Sequence, residues 1–396
     1  MTGNIRRQGK RSWEVRIYLG RTETGRKLYK SHTVRGTKRT AQRELAHLID
    51  GLSAGTYVSP SRMTLANYLA RWLTDYARVN VAAKTFERYS EIVQLHLIPA
   101  LGHHNLTNLQ PLHIQAYYSE ALQSGRRDGA GGLSAQTVLH HHRVLREALR
   151  HAVKWQLLAR NPADAVEPPR AQPREIPALD EQEVAALLAA AEGTRLATPV
   201  LLAVATGLRR GELLGVRWQD VDLNRGTLAV RQSLEQTKNG LSFKEPKTRR
   251  GRRVVTLPPV AAEALRRHKT EQAKARLLLG PAYQDHGLVF RRANGRPIDP
   301  AEFSNAFTAL VAKSGVRRVS LHSLRHTNAT LLLRANVHPK VVSERLGHAT
   351  VGITLDTYSH VLPNMQEEAA YKLDALLAHG VSKHLKSTHR VAPDGE

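Results

Sequence analysis

The sequence predicts a multidomain chain: a small α+β domain, then an all-helical domain, then a mixed, mostly α domain with a small β-sheet. Three observations carry this. At 396 residues the chain exceeds one typical domain. Its hydrophobic periodicity is that of strands near the start and that of helices over most of the remainder. Two stretches, "GTYVSPSRM" and "VEPPRAQPREIP", interrupt the periodic segments with the composition of linkers.

The first domain spans residues 1–58. In "SWEVRIYLG", Trp13, Val15, Ile17 and Leu19 alternate with Glu14, Arg16 and Tyr18, the period of a half-buried strand. A turn at "TETG" leads to "RKLYKSHTV", a second strand with basic residues exposed. Ala41, Leu45, Leu48 and Leu52 then recur at helical spacing. The first sixty residues carry 13 Lys and Arg against 4 Asp and Glu, so this unit is strongly basic. A disordered basic tail is the alternative, but such tails do not alternate so regularly.

Residues 62–165 form the helical domain. Thr64 is placed to cap a helix whose apolar face is Leu65, Tyr68, Leu69, Trp72 and Leu73. Further helices are expected around 86–97, 112–122 and 134–157, separated by breaks at Pro99, at Leu101–Gly102 and in "SGRRDGAGG". The triplet His140, His141 and His142 invites a metal reading. Consecutive helix residues do not share a face, so a solvated or phosphate-facing edge is the better expectation. Residues 166–178 read as a charged, proline-rich linker. Asp180 with Glu183 opens the third domain, 179–380, as a capping box. The tail 381–396 has the composition of a disordered segment.

The net charge of +25 calls for a polyanionic partner, nucleic acid before an anionic membrane. No apolar run approaches the ~20 residues of a membrane span, and "MTGNIRRQGK" lacks the apolar stretch of a signal peptide. With no cysteine, disulfides and thiolate metal sites are excluded. A soluble, cytosolic nucleic-acid protein is the expectation.

Four separated pieces of the third domain hold the candidate chemistry. "ATGLRRGELLGVRWQDVDL" sets Arg209 and Glu212 three apart, so that a carboxylate can orient a guanidinium. In "FKEPKTRRGRRVVTLP" two short strand-like runs flank a glycine turn, with Lys247 beside the hairpin. "LHSLRHTNAT" puts His322 and Arg325 on one helical face. "ERLGHATVGITLDTYSHV" adds His348 and, ten residues on, Tyr358. Each piece alone is weak, because an Arg–Glu pair on a helix is most often a surface ion pair. Their order within one basic domain carries the weight.

Together these pieces resemble the tyrosine recombinase, or phage integrase, family. "TGLRRGEL" is similar to that family's first arginine box, "LHSLRHT" to its His-x-x-Arg box, and "LGHATVGITLDTYSHV" to its closing histidine and tyrosine box. The resemblance covers the whole chain. It implies an N-terminal arm-site-binding domain of three strands plus a helix, a SAM-like core-binding domain and a catalytic domain. Ser323 departs from the pattern, standing where many members carry an acidic residue, which alters the local hydrogen bonding.

The resemblance implies that Tyr358 is the nucleophile and forms a 3′-phosphotyrosine link. Such a link conserves the energy of the DNA backbone bond, so that rejoining needs no ATP. Arg209 and Arg325 suit the phosphorane because guanidinium forks grip two oxygens and stay charged. His348 would add a third donor. By resemblance Lys247 is the general acid for the departing 5′-oxygen, His322 assists proton transfer or braces the phosphate, and Glu212 holds the geometry. Arg210 competes with Arg209, but the family's arginine stands two residues after the glycine, here Gly207. No metal or other cofactor is implied, since the guanidiniums supply the positive charge. A type IB topoisomerase shares this chemistry without needing an arm-binding module. An idle DNA-binding regulator would be expected to lack a catalytic residue.

The implied partners are double-stranded DNA, at core and arm attachment sites, three further copies of the chain in a tetramer on synapsed DNA, and a directionality factor for excision. After Pro363, Ala369, Ala370, Leu373, Leu376 and Leu377 line one side of a helix. Self-packing would bury that side; the resemblance implies docking on a neighbouring protomer.

Overall fold

A computed structural model describes residues 3–21, 25–53, 62–172, 177–246 and 249–358, with 370, 371, 373–375, 377 and 378. The chain divides into two compact units, Met1–Pro173 and Arg174–Glu396, and the division falls inside the 166–178 linker.

In the first unit, β1 (Gly3–Gly9), β2 (Ser12–Arg21) and β3 (Lys27–Arg35) form an antiparallel sheet in that order. Ile5 and His32 flank Val15 in register. The helix α1 (Lys38–Ser53) packs on one face, where Val15, Ile17 and Ala41 are buried. The alternation seen in the sequence therefore separates a helix-facing side from an open one. On the open side the Arg16 guanidinium lies 4.2 Å from the centre of the Tyr29 ring, and Tyr18 touches the same ring.

The helical part of this unit begins as expected, with the Thr64 side chain accepting from the Asn67 amide at the start of α2 (Leu65–Trp72). A π turn at Leu73–Ala77 leads into α3 (Arg78–Asn80). Next, α4 (Ala83–Ile92) runs through a second π turn, Val93–Leu97, into α5 (Ile98–Leu101). Pro99 therefore does not separate helices. Proline has no N–H and crowds the carbonyl four residues back, and the widened π turn just before it makes the room. Helices α6 (Pro111–Ser124) and α7 (Ala135–Lys154) complete an apolar core around Trp72, Tyr68 and Leu145.

The solvated-edge expectation for the histidine triplet is corrected. His141 and His142 are buried, and their Nδ1 atoms meet the hydroxyls of Tyr117 at 2.7 Å and Tyr118 at 2.8 Å. The apolar stripe of α7 runs through 138, 145, 149 and 152, and positions 141 and 142 fall on it. Burial, helped by nearby His96, Arg88 and His140, pushes the His141 pKa down to about 4, so it sits in the core as neutral imidazole.

The second unit opens with the expected capping box, Glu183 N–H donating to Asp180 at the start of α8 (Glu181–Ala191). Helices α9 (Ala197–Thr206) and α10 (Arg210–Gly215) follow. Strands β4 (Val221–Asp222), β5 (Thr227–Val230) and β8 (Arg253–Thr256) form one antiparallel sheet, while β6 (Ser233–Thr237) and β7 (Gly240–Lys244) form a separate hairpin. The two runs flanking the glycine turn in "FKEPKTRRGRRVVTLP" are thus not partners. The turn at Lys238–Asn239 folds β7 back on β6, and β8 pairs with β5 instead, with Leu228 opposite Val255. Then come the helices α11 (Pro259–Leu279), α12 (Pro300–Ser314), α13 (Leu321–Arg334), α14 (Pro339–Leu346) and α15 (Val351–Tyr358).

Candidate active site

The site is built where α9, α13 and α14 meet. Helix α9 ends at Gly207, whose φ of +64° is left-handed and suits glycine. A Cβ there would collide with the side chains of Leu346 and Asn328, so this glycine also permits close approach to α14 and α13. Arg325 makes use of that approach. Its Nη1 donates to the Gly207 carbonyl at 2.9 Å and its Nη2 to the Leu346 carbonyl at 2.7 Å. One guanidinium therefore ties together all three boxes singled out in the sequence. It is only 3% exposed. Burial, with repulsion from Arg209, lowers its pKa to about 9, which leaves it cationic at neutral pH.

Arg209 is the N-cap of α10, one residue before the first helical turn. Its amide donates to Glu212 Oε2 at 3.0 Å and its Nη1 to Oε1 at 2.8 Å. The sequence-based Arg–Glu pairing is present, and it is not a surface pair, because Glu212 is buried. A second guanidinium lies on the far side. Arg253, from β8, donates through Nη2 to Glu212 Oε2 at 2.9 Å and through Nη1 to Oε1 at 3.3 Å. Burial alone would raise the Glu212 pKa, but the hydrogen bonds and charge of Arg253, with those of Arg209, bring it below the usual carboxylate value. Arg210 points elsewhere, its Nη1 bonding Ser304 Oγ at 2.7 Å and the Pro300 carbonyl at 3.2 Å.

His322, Arg325 and His326 all lie on α13. Its first turn is capped reciprocally by Ser320 and Ser323, with Ser320 N–H donating to Ser323 Oγ at 3.2 Å. The serine thus fills the capping role that an acidic side chain at this position would take. His348 follows α14, and its Nδ1 lies 2.8 Å from Thr354 Oγ1. Burial, then the charges of Arg325 and Arg209, lowers its pKa to about 4. If the Thr354 hydroxyl is the donor in this contact, the neutral ring carries its proton on Nε2, the tautomer that can donate to an anion.

Tyr358 ends α15 and is 3% exposed, its ring packed among Ala329, Leu333, Val342 and Leu346. Its hydroxyl lies 2.6 Å from His326 Nδ1. Burial raises its pKa to about 12 despite the nearby Arg325, so the phenol is neutral in the free protein. Arg209, Glu212, His322, Arg325, His348 and Tyr358 therefore share one region. Lys247 lies outside the described residues.

Sequence reasoning missed Arg253 and His326. Arg253 is one of four arginines in "RRGRR", and nothing in that spacing separates it from its neighbours. His326 did have a signal, since it lies four residues after His322 and so on the same helical face.

Comparison with known proteins gives the family. The family described as "Phage integrase family" matches residues 177–365, and "Phage integrase, N-terminal SAM-like domain" matches residues 64–122, together more than half of the chain. A "Tyrosine recombinase XerC-like" protein of Caldanaerobacter subterraneus is 29% identical over 392 residues, covering 94% of this chain and 98% of that protein. An integrase of Saccharopolyspora erythraea is 26% identical, covering 91% and 93%. The Tn1549 transposon integrase, solved with a circular intermediate DNA, has the same fold at a TM-score of 0.65 and 20% identity, covering 78% of this chain and 99% of that one. Lambda integrase, solved as a dimer on a COC′ core site, gives 0.55 at 20% identity, covering 91% and 95%. The chain belongs to the phage integrase family of tyrosine recombinases, enzymes that cleave and rejoin DNA.

Proposed function

We propose that this recombinase is the integrase of a phage or integrative element, cutting attachment-site DNA through a 3′-phosphotyrosine at Tyr358. The observation that carries the reading is the Arg325 fork, which joins the Gly207 and Leu346 ends of two other boxes around one cationic centre. Arg209, Arg325 and His348 hold the non-bridging oxygens of the scissile phosphate, and Glu212 fixes Arg209. His322 braces the phosphate. Lys247 protonates the departing 5′-oxygen.

Removing a general acid typically costs about 10²–10⁴ in rate. Lys247→Ala is expected to lose cleavage by that order, and a substrate with sulfur in place of the bridging 5′-oxygen should recover most of it. Sulfur leaves without protonation, so an absence of rescue would reassign the acid.

We assign residues 1–58 to arm-site binding, 62–165 to the core site and 179–380 to catalysis. The open sheet face carrying Asn4, Arg16, Tyr18 and Tyr29 supports the first assignment. The groove beside α7, lined by Arg143, Arg146 and Arg150 with Asp164 and Glu147 paired to the last two, supports the second. Deleting residues 1–58 should leave cleavage of a core site intact and reduce plasmid recombination between full attachment sites severalfold or more. It should also lessen the salt dependence of binding, because fewer phosphates are neutralised. Equal recombination by the truncated chain would remove the arm-binding role.

Lambda integrase has been solved as a tetramer on a Holliday junction, and we read this chain as acting in the same oligomeric state, with a directionality factor for excision. In the segment after Tyr358, Leu373 and Leu377 are helical and more than half exposed, which favours docking on a neighbour over self-packing. Ala369 and Leu376 of that segment lie outside the described residues. Among the described residues no helix is long and apolar enough to cross a membrane.

A further inference from the structure

A phenol that attacks phosphorus must give up its proton, and the reading above leaves open which group takes it. Helix α13 offers two histidines one turn apart. The His322 and His326 ring centres are 4.9 Å apart with planes at 83°, so the two rings form a pair on one face. Only His326 reaches the nucleophile: its Nδ1 is 2.6 Å from the Tyr358 hydroxyl, the one hydrogen bond to that hydroxyl among the described residues. The intervening Arg325 donates to two backbone carbonyls, and its charge is felt at both Tyr358 and His326. His326 Nε2 is buried and has no hydrogen-bond partner among the described residues. With Nδ1 accepting from the phenol, the neutral ring carries its proton on this unpaired Nε2.

We propose that His326 is the general base of the reaction, its Nδ1 taking the proton from the Tyr358 hydroxyl as that oxygen attacks phosphorus. The inference rests on the recombinase reading above. In the cleavage step the phenolic oxygen–phosphorus bond forms and the phosphorus–O5′ bond breaks. The phenolic proton passes to Nδ1, giving an imidazolium, while the 5′-oxygen is protonated by the general acid. On rejoining, the 5′-hydroxyl attacks phosphorus and gives its proton back to the general acid, the O5′–phosphorus bond forms, the tyrosine–phosphorus bond breaks and the imidazolium returns its proton to the phenol. No net proton or electron is consumed.

The same contact keeps the free protein inert. Burial, then the charges of His322 and Arg325, lowers the His326 pKa to about 4, while the buried phenol stands at about 12. A gap of that size holds the proton on the phenol almost completely. The groups facing this pair are His322 and Arg325 on α13 and His348 between α14 and α15. Arg325 is a cation and no carboxylate is among them, so these neighbours disfavour an imidazolium. A DNA phosphate brings negative charge to this cationic cluster and raises the His326 pKa. The base is thus weak until substrate arrives.

The test uses the full chain and the nicked duplex that it traps best from a random-sequence library. Adduct formation is followed from about pH 6 to 8.5 for the unsubstituted chain, His326→Ala and His326→Gln. Both variants should be about 10²–10⁴-fold slower near pH 7, with gel-shift affinity for the duplex unchanged. The deficit should shrink by close to tenfold per pH unit, since an unassisted phenol reacts through its anion. Arg325 and the other shared groups cancel in the ratio of rates. Fluorotyrosine at position 358, a more acidic phenol, should also narrow the deficit.

Glutamine separates a base from a positioning residue, because its amide oxygen can accept the hydrogen bond but cannot take the proton. Recovery of near-normal rate in His326→Gln would overturn the proposal, as would a deficit indifferent to both pH and fluorotyrosine. If the unsubstituted chain forms no adduct at Tyr358, the recombinase reading fails along with it. If it does form one and the variants match its rate, only the role of His326 falls.

Discussion

Tyr358→Phe is expected to form no covalent adduct with a nicked duplex while binding that duplex with near-unchanged affinity. The phenyl ring keeps its place against Leu346, Val342 and Ala329, so the fold around the site persists. What disappears is the oxygen that we propose attacks phosphorus. His322, His326 and His348 surround the position, but the reaction needs a nucleophile whose phosphodiester can be attacked in turn by a 5′-hydroxyl. The substitution also strips His326 Nδ1 of its partner. An unpaired buried acceptor costs about 1–3 kcal/mol, so a modest fall in melting temperature should accompany the complete loss of cleavage. A denaturing gel reads the adduct directly. A protein–DNA band retained by the variant would remove Tyr358 as nucleophile.

Much of the site was legible because its chemistry lies in short local boxes. Arg209 with Glu212, and His322 with Arg325, are each three residues apart, and helical geometry alone brings such pairs together. Caps were equally readable at Thr64 and Asp180, where one side chain and one amide decide the outcome. What was not legible depends on partners distant in sequence. Whether β8 pairs with β7 or with β5 is set by the sheet as a whole, and both pairings suit a short β-branched run such as "RVVT". The burial of His141 and His142 depends on two tyrosine hydroxyls 24 residues earlier. Pro99 is a breaker by its own chemistry and is tolerated only because a π turn precedes it. Arg253 is distinguished from the arginines around it by Glu212, 41 residues away.

That last contact carries the second large effect. Glu212→Ala should lower stability by about 3–5 kcal/mol, the usual cost of removing one partner from a buried ion pair. The Arg253 side chain is 6% exposed, so water cannot take the place of the lost carboxylate. For a unit of this size the loss corresponds to a fall in melting temperature on the order of 10 °C. The pH dependence follows the same contact. The folded-state pKa of Glu212 lies below its ordinary value. Its contribution is therefore complete above the ordinary glutamate pKa and is lost as pH falls through the depressed folded value. The stability gap between the unsubstituted chain and Glu212→Ala should accordingly close on acidification below about pH 4. Activity and stability should then separate in the double variant. Glu212→Ala with Arg253→Met removes the stranded charge, so much of the melting temperature should return. Cleavage should not return with it, because Arg209 still lacks the carboxylate that holds its Nη1 at 2.8 Å, and a misplaced donor at a developing oxyanion costs about 10²–10³ in rate. Recovery of both together in the double variant would mean that Glu212 serves only to neutralise Arg253 and that Arg209 is oriented by something else.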